Sequence, residues 1–386
     1  MVILEKPYVS DFLQQTVVNL QIPVLKTDFV ETLSFSKNMK LLEPNDFFSE
    51  IKNNPEILLY SNSENSGQWL NSYIPDNEIT KLVNKLKDKS VLRDLFSKIY
   101  TDFWYKTFSL NEILNLEYTN LPKQFVVKPK RGFASICIHS VFSENDWEKA
   151  KSSIKKEVVE MQNVFPDLVV SLQEFIIESF IEGKELAIDA YFDTNGNPVI
   201  LNVLTHLHSS KYDMSDRLYV TSDEIFNDYY EPILKYLEQM NELLKIKNFP
   251  FHLEMIADNQ NRIIPVEINP MRFMGFCVAD VDFLFYGVNP YEFYFKNLKP
   301  NWSEILKSRE NKIFALMVID IPKHLDREKI KFNYDKFIKY YTKPLHYIQM
   351  DYTVFPMSII MFAEVEKTNF SEFEYILNSD IMEFIE

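Results

Sequence analysis

Only two cysteines, Cys137 and Cys277, occur in the 386 residues. Far apart and without a second pair, they support neither a disulfide framework nor a zinc knuckle, and a reducing cytoplasm is the expected setting. Clustered basic residues are also lacking. The formal charge is -15 and the lysines are scattered among more numerous Asp and Glu. This argues against nucleic acid as a partner, because phosphate binding rests on grouped Lys and Arg that release counterions. An acidic average still permits a local basic pocket. No stretch approaches the roughly 18 apolar residues of a membrane span. Glu5, Lys6 and Pro7 stand where a signal peptide requires an apolar core, so neither export nor a membrane partner is expected. No Gly-x-Ser-x-Gly, Cys-His pairing or dinucleotide fingerprint gives covalent hydrolase or NAD-dependent chemistry a foothold.

What is present is apolar and aromatic content ample for two or three packed domains. From Val2 to Tyr60 short apolar runs alternate with longer polar-apolar segments, which predicts strand-helix-strand units and a small α/β domain over 1–88. A run from Asn77 to Tyr100 has helical spacing with a break near Asp88 to Ser90, and a helical connector is read over 89–120. From Leu121 to Leu298 the β-type runs are Phe125 to Lys128, Ser135 to Val141, Val169 to Glu178, Glu185 to Phe192, Pro198 to Leu204, Phe251 to Ile256 and Ile263 to Ile268. Helices over Asn145 to Gln162 and Ser222 to Ile246 interrupt them. This order predicts an α+β unit whose antiparallel sheet carries the site. Beyond Pro300, a strand-like Ile313 to Ile321, a segment around Tyr347 to Phe355, a strand Met357 to Val365 and a helix from Glu372 make an α+β extension over 301–386.

The strongest chemical signal is a pair of segments, Phe251-His252-Leu253-Glu254-Met255-Ile256 and Ile264-Pro265-Val266-Glu267-Ile268-Asn269, separated by the turn-like Asp258 to Asn261. Alternation puts Phe251, Leu253 and Met255 on one face of the first arm and His252 and Glu254 on the other. In the second arm Val266 and Ile268 oppose Glu267 and Asn269. With the turn centred near Gln260, Glu254 and Glu267 come nearly opposite each other. Such a like-charge pair destabilises a sheet unless something positive sits between. Magnesium, or manganese in its place, meets that need, because it takes oxygen ligands and few of them from protein. Two acids on an exposed hairpin are more often a solvated face; the third oxygen donor, Asn269, and the following Pro270-Met271-Arg272 favour the metal. An Arg beside such a cluster suits a phosphate or a developing oxyanion.

The run Glu267 to Arg272, with Glu254 thirteen positions before Glu267, resembles the metal-binding signature of the ATP-grasp superfamily. The common family form has Arg directly after Asn-Pro, where Met271 stands here. Three weaker motifs precede it in family order. Phe125-Val126-Val127-Lys128-Pro129 reads as an apolar strand ending in lysine, followed by Lys130-Arg131-Gly132-Phe133-Ala134-Ser135. Two strands joined by such a turn form a flap able to cover a triphosphate. The resemblance implies that Lys128 contacts nucleotide phosphates and that Gly132 to Ser135 is the covering loop, with one glycine where the family has several. In Ile177 to Leu186, Glu178 and Glu185 are seven apart, which the resemblance places at the adenine hinge and the ribose hydroxyls. Backbone groups from Ser179 to Ile181 are then offered to the base. Lys89, thirty-nine residues before Lys128, resembles the superfamily's first nucleotide-contacting lysine.

The implied fold is the ATP-grasp fold, of mixed α+β and α/β class. A small subdomain (121–183) and a large one with the metal site (184–300) clasp ATP between the N-terminal domain and the C-terminal extension. The implied activity is that of a carboxylate-amine ligase dependent on ATP and magnesium. ATP and a carboxylate give an acyl phosphate and ADP; an amine then gives an amide and phosphate. Lys128 and Arg272 are the expected catalytic residues. A different acyl acceptor, carboxylation of a substrate, or a non-catalytic nucleotide-binding regulator stay open as alternatives. Small-molecule or peptide carboxylates and amines are the expected partners, and a homodimer is allowed.

His206 and His208 form an i, i+2 pair with no Cys or carboxylate spacing to complete a transition-metal site. In similar ligases this stretch lies over the active site, so His206, Asp216 and Arg217 are candidates for substrate contact. His252, on the strand face of Glu254, is a candidate for a phosphate or substrate carboxylate, and equally a satisfied core histidine.

Overall fold

The computed structural model describes residues 1–99, 103–132, 137–161, 171–210, 213, 215–260 and 262–386. Among these residues the chain forms three sheets. Four short strands, β1 (Val2–Ile3), β2 (Pro23–Leu25), β3 (Lys40–Leu42) and β4 (Tyr60–Ser61), lie in the order β3-β2-β1-β4 and run parallel. Parallel neighbours need crossovers, and the helices Asp11–Asn19 and Pro44–Asn53 supply two of them, burying Leu13, Val17, Phe47, Phe48 and Ile51.

The second sheet is small and antiparallel: β5 (Tyr105–Ser109), β6 (Phe125–Arg131), β7 (His139–Val141) and β8 (Ser171–Ser179), in the order β5-β8-β6-β7. The helix Glu144–Met161 covers one face, with Trp147, Ala150 and Ile154 against Phe125, Val127, Val141, Phe175 and Ile177. The segment read as a helical connector over 89–120 does hold the helices Lys89–Phe96 and Leu110–Asn115, but β5 lies between them. β5 is an edge strand none of whose residues is buried, so its side chains carry no apolar alternation to reveal it.

The third sheet has nine strands: β9 (Gly183–Phe192), β10 (Pro198–Ile200), β11 (Leu204–Leu207), β12 (Leu218–Ser222), β13 (Phe249–Asp258), β14 (Ile263–Pro270), β15 (Lys312–Asp320), β16 (Pro344–Gln349) and β17 (Met357–Glu366). Their order is β14-β13-β9-β11-β12-β15-β17-β16, with β10 beside β9. Strands beyond residue 300 therefore continue the sheet that carries the hairpin, through the β12–β15 ladder. The single run expected over Pro198 to Leu204 is split between β10 and β11. The edge strand β16 takes in the first residues of the segment expected around Tyr347 to Phe355, and beyond it Asp351 accepts hydrogen bonds from Thr353 in a turn. No helix among the described residues is long and apolar enough to cross a membrane.

Two local features aim the site. Asp88 caps the helix Lys89–Phe96 by accepting the Ser90 N–H at 3.0 Å, which starts the helix at Lys89 and puts Arg93 one turn along the same face. At Gly183 a Cβ would meet the Ala257 carbonyl oxygen at 2.2 Å, so only glycine lets β9 begin its ladder on β13 directly after the link from β8.

Candidate active site

A cavity of about 1070 Å³ is walled by both antiparallel sheets. The small sheet contributes Val126, Lys128, Glu178 and Ser179, the link contributes Phe180 to Glu182, and the large sheet contributes Gly183 to Glu185, His206, Glu254, Val266 and Glu267, with Asp216 just before β12.

The ladder pairs Glu254 with Glu267 and His252 with Asn269, but Met255 with Pro265. One extra residue on β14, a bulge at Val266, makes that register possible and turns Val266 toward the cavity rather than into the core face assigned to it by alternation. Half-buried Glu254 faces Glu267, Glu185 and Asp216, and desolvation followed by these like charges raises its carboxyl well above the usual range. Lys89 gives partial compensation: its Nζ lies 2.9 Å from Glu267 Oε2 and donates to the Gly132 carbonyl at 3.1 Å. Asn269 is buried beside them at 4% exposure. Opposed carboxylates with an adjacent amide oxygen form an oxygen-only donor set carrying excess negative charge, whose chemical complement is a hard divalent cation.

Lys128 and Glu178 are diagonal neighbours on one face of β6 and β8, with Nζ 2.6 Å from Oε1. Arg93 donates from Nε to the other oxygen of Glu178 at 2.7 Å and from NH1 to the Pro265 carbonyl. Burial alone would raise the Glu178 carboxyl, but Arg93 and Lys128 hold it at about 2. Burial, opposed by Glu178, pulls the Lys128 ammonium below its ordinary value. Sequence reasoning missed Arg93, whose signal is its position four residues after Lys89.

Along the link, the Ser179 and Phe180 amides are committed to the carbonyls of Trp104 and Gln124, at 3.0 and 3.1 Å. Among the described residues the Ile181 amide has no such partner. Glu185 is held by two histidines, with Oε2 2.8 Å from His208 Nε2 and 3.5 Å from His206 Nδ1. The spacing rule that set the histidine pair aside could not see this carboxylate, because β9 supplies it from across the sheet. Asp216 lines the cavity and accepts from the Tyr219 hydroxyl at 2.6 Å.

Among the described residues, five predicted ones do not line the cavity: buried Asn269, and Arg217, Arg272, His252 and Lys89. Arg217 donates to the Ile376 carbonyl at 3.2 Å, and its side chain is committed there rather than lining the cavity as its neighbour Asp216 does. Arg272 donates from NH2 to Glu64 Oε1 at 2.7 Å and from NH1 to the Phe273 carbonyl. Glu64, which burial would raise, is held at about 2 by Arg272 and Lys87. His252 is buried, with Nδ1 2.8 Å from Asp189 Oδ1 and Nε2 4.0 Å from Glu254 Oε1. Lys89 reaches the site only through Glu267 and Gly132. Ser135, with Phe133 and Ala134 of the covering loop, lies outside the described residues.

Two sheets enclosing a cavity, with lysines on one side and paired carboxylates on the other, define a nucleotide-clasping architecture. Residues 121–280 match the family model of the ATP-grasp domain. Comparison with curated proteins finds no match. Among solved structures, an L-amino acid ligase from Bacillus licheniformis is similar over 100% of this chain and 97% of its own, at 16% identity and a TM-score of 0.70. N5-carboxyaminoimidazole ribonucleotide synthetase from Thermotoga maritima is similar over 100% and 98%, at 14% identity and 0.60. Biotin carboxylase from Campylobacter jejuni is similar over 95% and 87%, at 12% identity and 0.61. The chain has the ATP-grasp fold, and its residues 121–280 match the ATP-grasp domain model.

Proposed function

We propose that this chain is a cytoplasmic ligase, dependent on ATP and magnesium, that activates a small-molecule or peptide carboxylate as an acyl phosphate and joins it to an amine. The observation that carries this reading is that Glu254 and Glu267, opposed on one hairpin, line the same cavity as Lys128 and Glu185. The donor set fits magnesium, which Glu254, Glu267 and Asn269 would hold, with manganese able to substitute. Held there, such an ion would supply charge neutralisation for the phosphates.

The remaining work falls to the chain. Lys128 supplies positive charge to the phosphates and is kept in place by Glu178, which Arg93 anchors in turn. Lys89 adds a second cation at the metal end. The Ile181 amide is offered to the base and Glu185 to the sugar hydroxyls. Glu64 and the Phe273 carbonyl take two of the five N–H groups of Arg272, leaving the rest for an oxyanion in the tetrahedral step.

The likeness to an amino acid ligase supports amino acids or short peptides as substrates. The likeness to a biotin carboxylase favours carboxylation as the second reading. One screen separates them: purified protein with ATP, magnesium and a matrix of amino acids, short peptides and bicarbonate, read by ADP release and product mass. Release requiring an acid and an amine together, with a product of their condensed mass, supports the ligase. Release that follows bicarbonate alone favours the carboxylase, and no substrate-dependent release counts against both.

A further inference from the structure

The contacts of His206 are not met by the neutral ring; a second ring proton or a bound cation would meet them. Its Nε2 lies 3.0 Å from the Ser215 carbonyl, and a carbonyl only accepts, so Nε2 carries the hydrogen. In the neutral ring Nδ1 is then a bare lone pair, yet it faces Glu185 Oε2 at 3.5 Å. His208 Nε2 approaches the same oxygen at 2.8 Å, while its Nδ1 is buried with no partner among the described residues. One donor atom from each of Glu185, His206 and His208 lies within 4.8 Å of the others.

We propose that Glu185, His206 and His208 form a binding site for a divalent transition ion of the zinc class, separate from the Glu254–Glu267–Asn269 set. Two imidazoles and one carboxylate are the borderline-soft donors such an ion prefers, whereas magnesium prefers oxygen alone. The surroundings have the form of an outer ligand shell. The Ser215 carbonyl fixes the His206 tautomer; Ser215 itself is held by Asp213 Oδ1, through its N–H at 3.0 Å and its hydroxyl at 2.6 Å. Tyr219 stacks on the His206 ring, with centroids 4.1 Å apart and planes 14° from parallel. The inference needs no nucleotide. Under the function proposed above it has one consequence: a bound ion withdraws Glu185 from the nucleotide sugar.

The test uses the full-length protein, stripped with a chelator and titrated with Co²⁺ in the absence of nucleotide. One Co²⁺ per chain is expected, with a visible d–d band that Zn²⁺ discharges and excess Mg²⁺ leaves in place. His208→Gln is expected to weaken binding by more than about tenfold, at least the loss typical of an outer-shell partner. Glu254→Gln, which alters only the carboxylate pair, is expected to keep the band. No band in the wild type, an unchanged band in His208→Gln, or a band lost in Glu254→Gln would each overturn the site. If His208→Gln is shown by circular dichroism to be unfolded, zinc X-ray absorption of the wild type decides. A shell with two imidazole nitrogens supports the site, and an all-oxygen shell refutes it. ADP release measured with magnesium alone is a separate readout, so failure here leaves the ligase reading untouched.

Discussion

Glu254 stands opposite Glu267 because β14 carries one residue more than β13 at Val266. Opposed carboxylates weaken a ladder, a weakness that the proposed cation site would accept. Glu254→Gln is therefore expected to act in opposite directions on stability and activity. In metal-free buffer it relieves repulsion and stabilises the fold by up to about 1 kcal/mol, read by urea unfolding. With ATP and magnesium it lowers substrate-dependent ADP release by at least ~100-fold, since metal stabilisation of a phosphoryl transition state amounts to several kcal/mol. Near wild-type turnover would mean that the metal is held elsewhere.

Glu178 joins Arg93 on the connector to Lys128 on the small sheet. Glu178→Gln leaves two buried cations without their shared anion and is expected to cost about 3–5 kcal/mol in chemical denaturation. The acid dependence has a definite sign. The folded carboxyl is held at about 2, below its unfolded value of roughly 4.3, so the stabilisation is complete above the unfolded value. It fades as pH falls from there through about 2. Unfolding midpoints measured across that window should drop steeply in the wild type and less in Glu178→Gln.

The hairpin is legible in the sequence because strand alternation and turn composition are local, and they set Glu254, Glu267 and Asn269 on neighbouring positions. The bulge is not legible: Val266 has the side chain of a core residue, and only the tertiary ladder turns it to the cavity. Arg217 is the same failure in reverse. It sits beside the cavity-lining Asp216, and a carbonyl of the C-terminal helix, Ile376, engages its guanidinium instead. Partners remote in sequence were invisible for a different reason. Glu64 is 208 residues from Arg272, and no spacing rule links the N-terminal domain to the end of β14.

Asp282 ends a buried polar chain. The Asn202 amide donates to Asp282 Oδ1 at 2.7 Å and to Asp189 Oδ2 at 2.9 Å, and Asp189 meets His252. Burial, then the charge of Asp189, raises the Asp282 carboxyl well above the usual range. The folded state thus keeps a proton that the unfolded state releases near pH 3.9. The stabilisation is full below that pH and declines as pH rises toward the folded value. Oδ2 has no partner among the described residues, so an amide nitrogen there displaces no bond. Asp282→Asn is expected to match the wild type near pH 4 and to exceed it in unfolding free energy at pH 8. A constant difference between the two proteins across this range would refute the buried proton.

Gly183 couples the fold to the end of the cavity lined by Ile181 and Glu185. A methyl group there meets the Ala257 carbonyl oxygen at 2.2 Å and the Ile256 side chain at 2.7 Å, and the backbone oxygen cannot swing aside as a side chain can. Gly183→Ala must separate the start of β9 from β13, at a cost of about 1–3 kcal/mol typical of overpacking. The displacement is greatest at Gly183 and carries the two nearest ligand elements with it, Ile181 before and Glu185 after. Glu254 is less affected, because β14 supports it from its other side. If Ile181 and Glu185 bind the base and sugar, KM for ATP should rise several-fold while kcat falls less. A fall in kcat with KM for ATP unchanged would take both residues out of nucleotide binding.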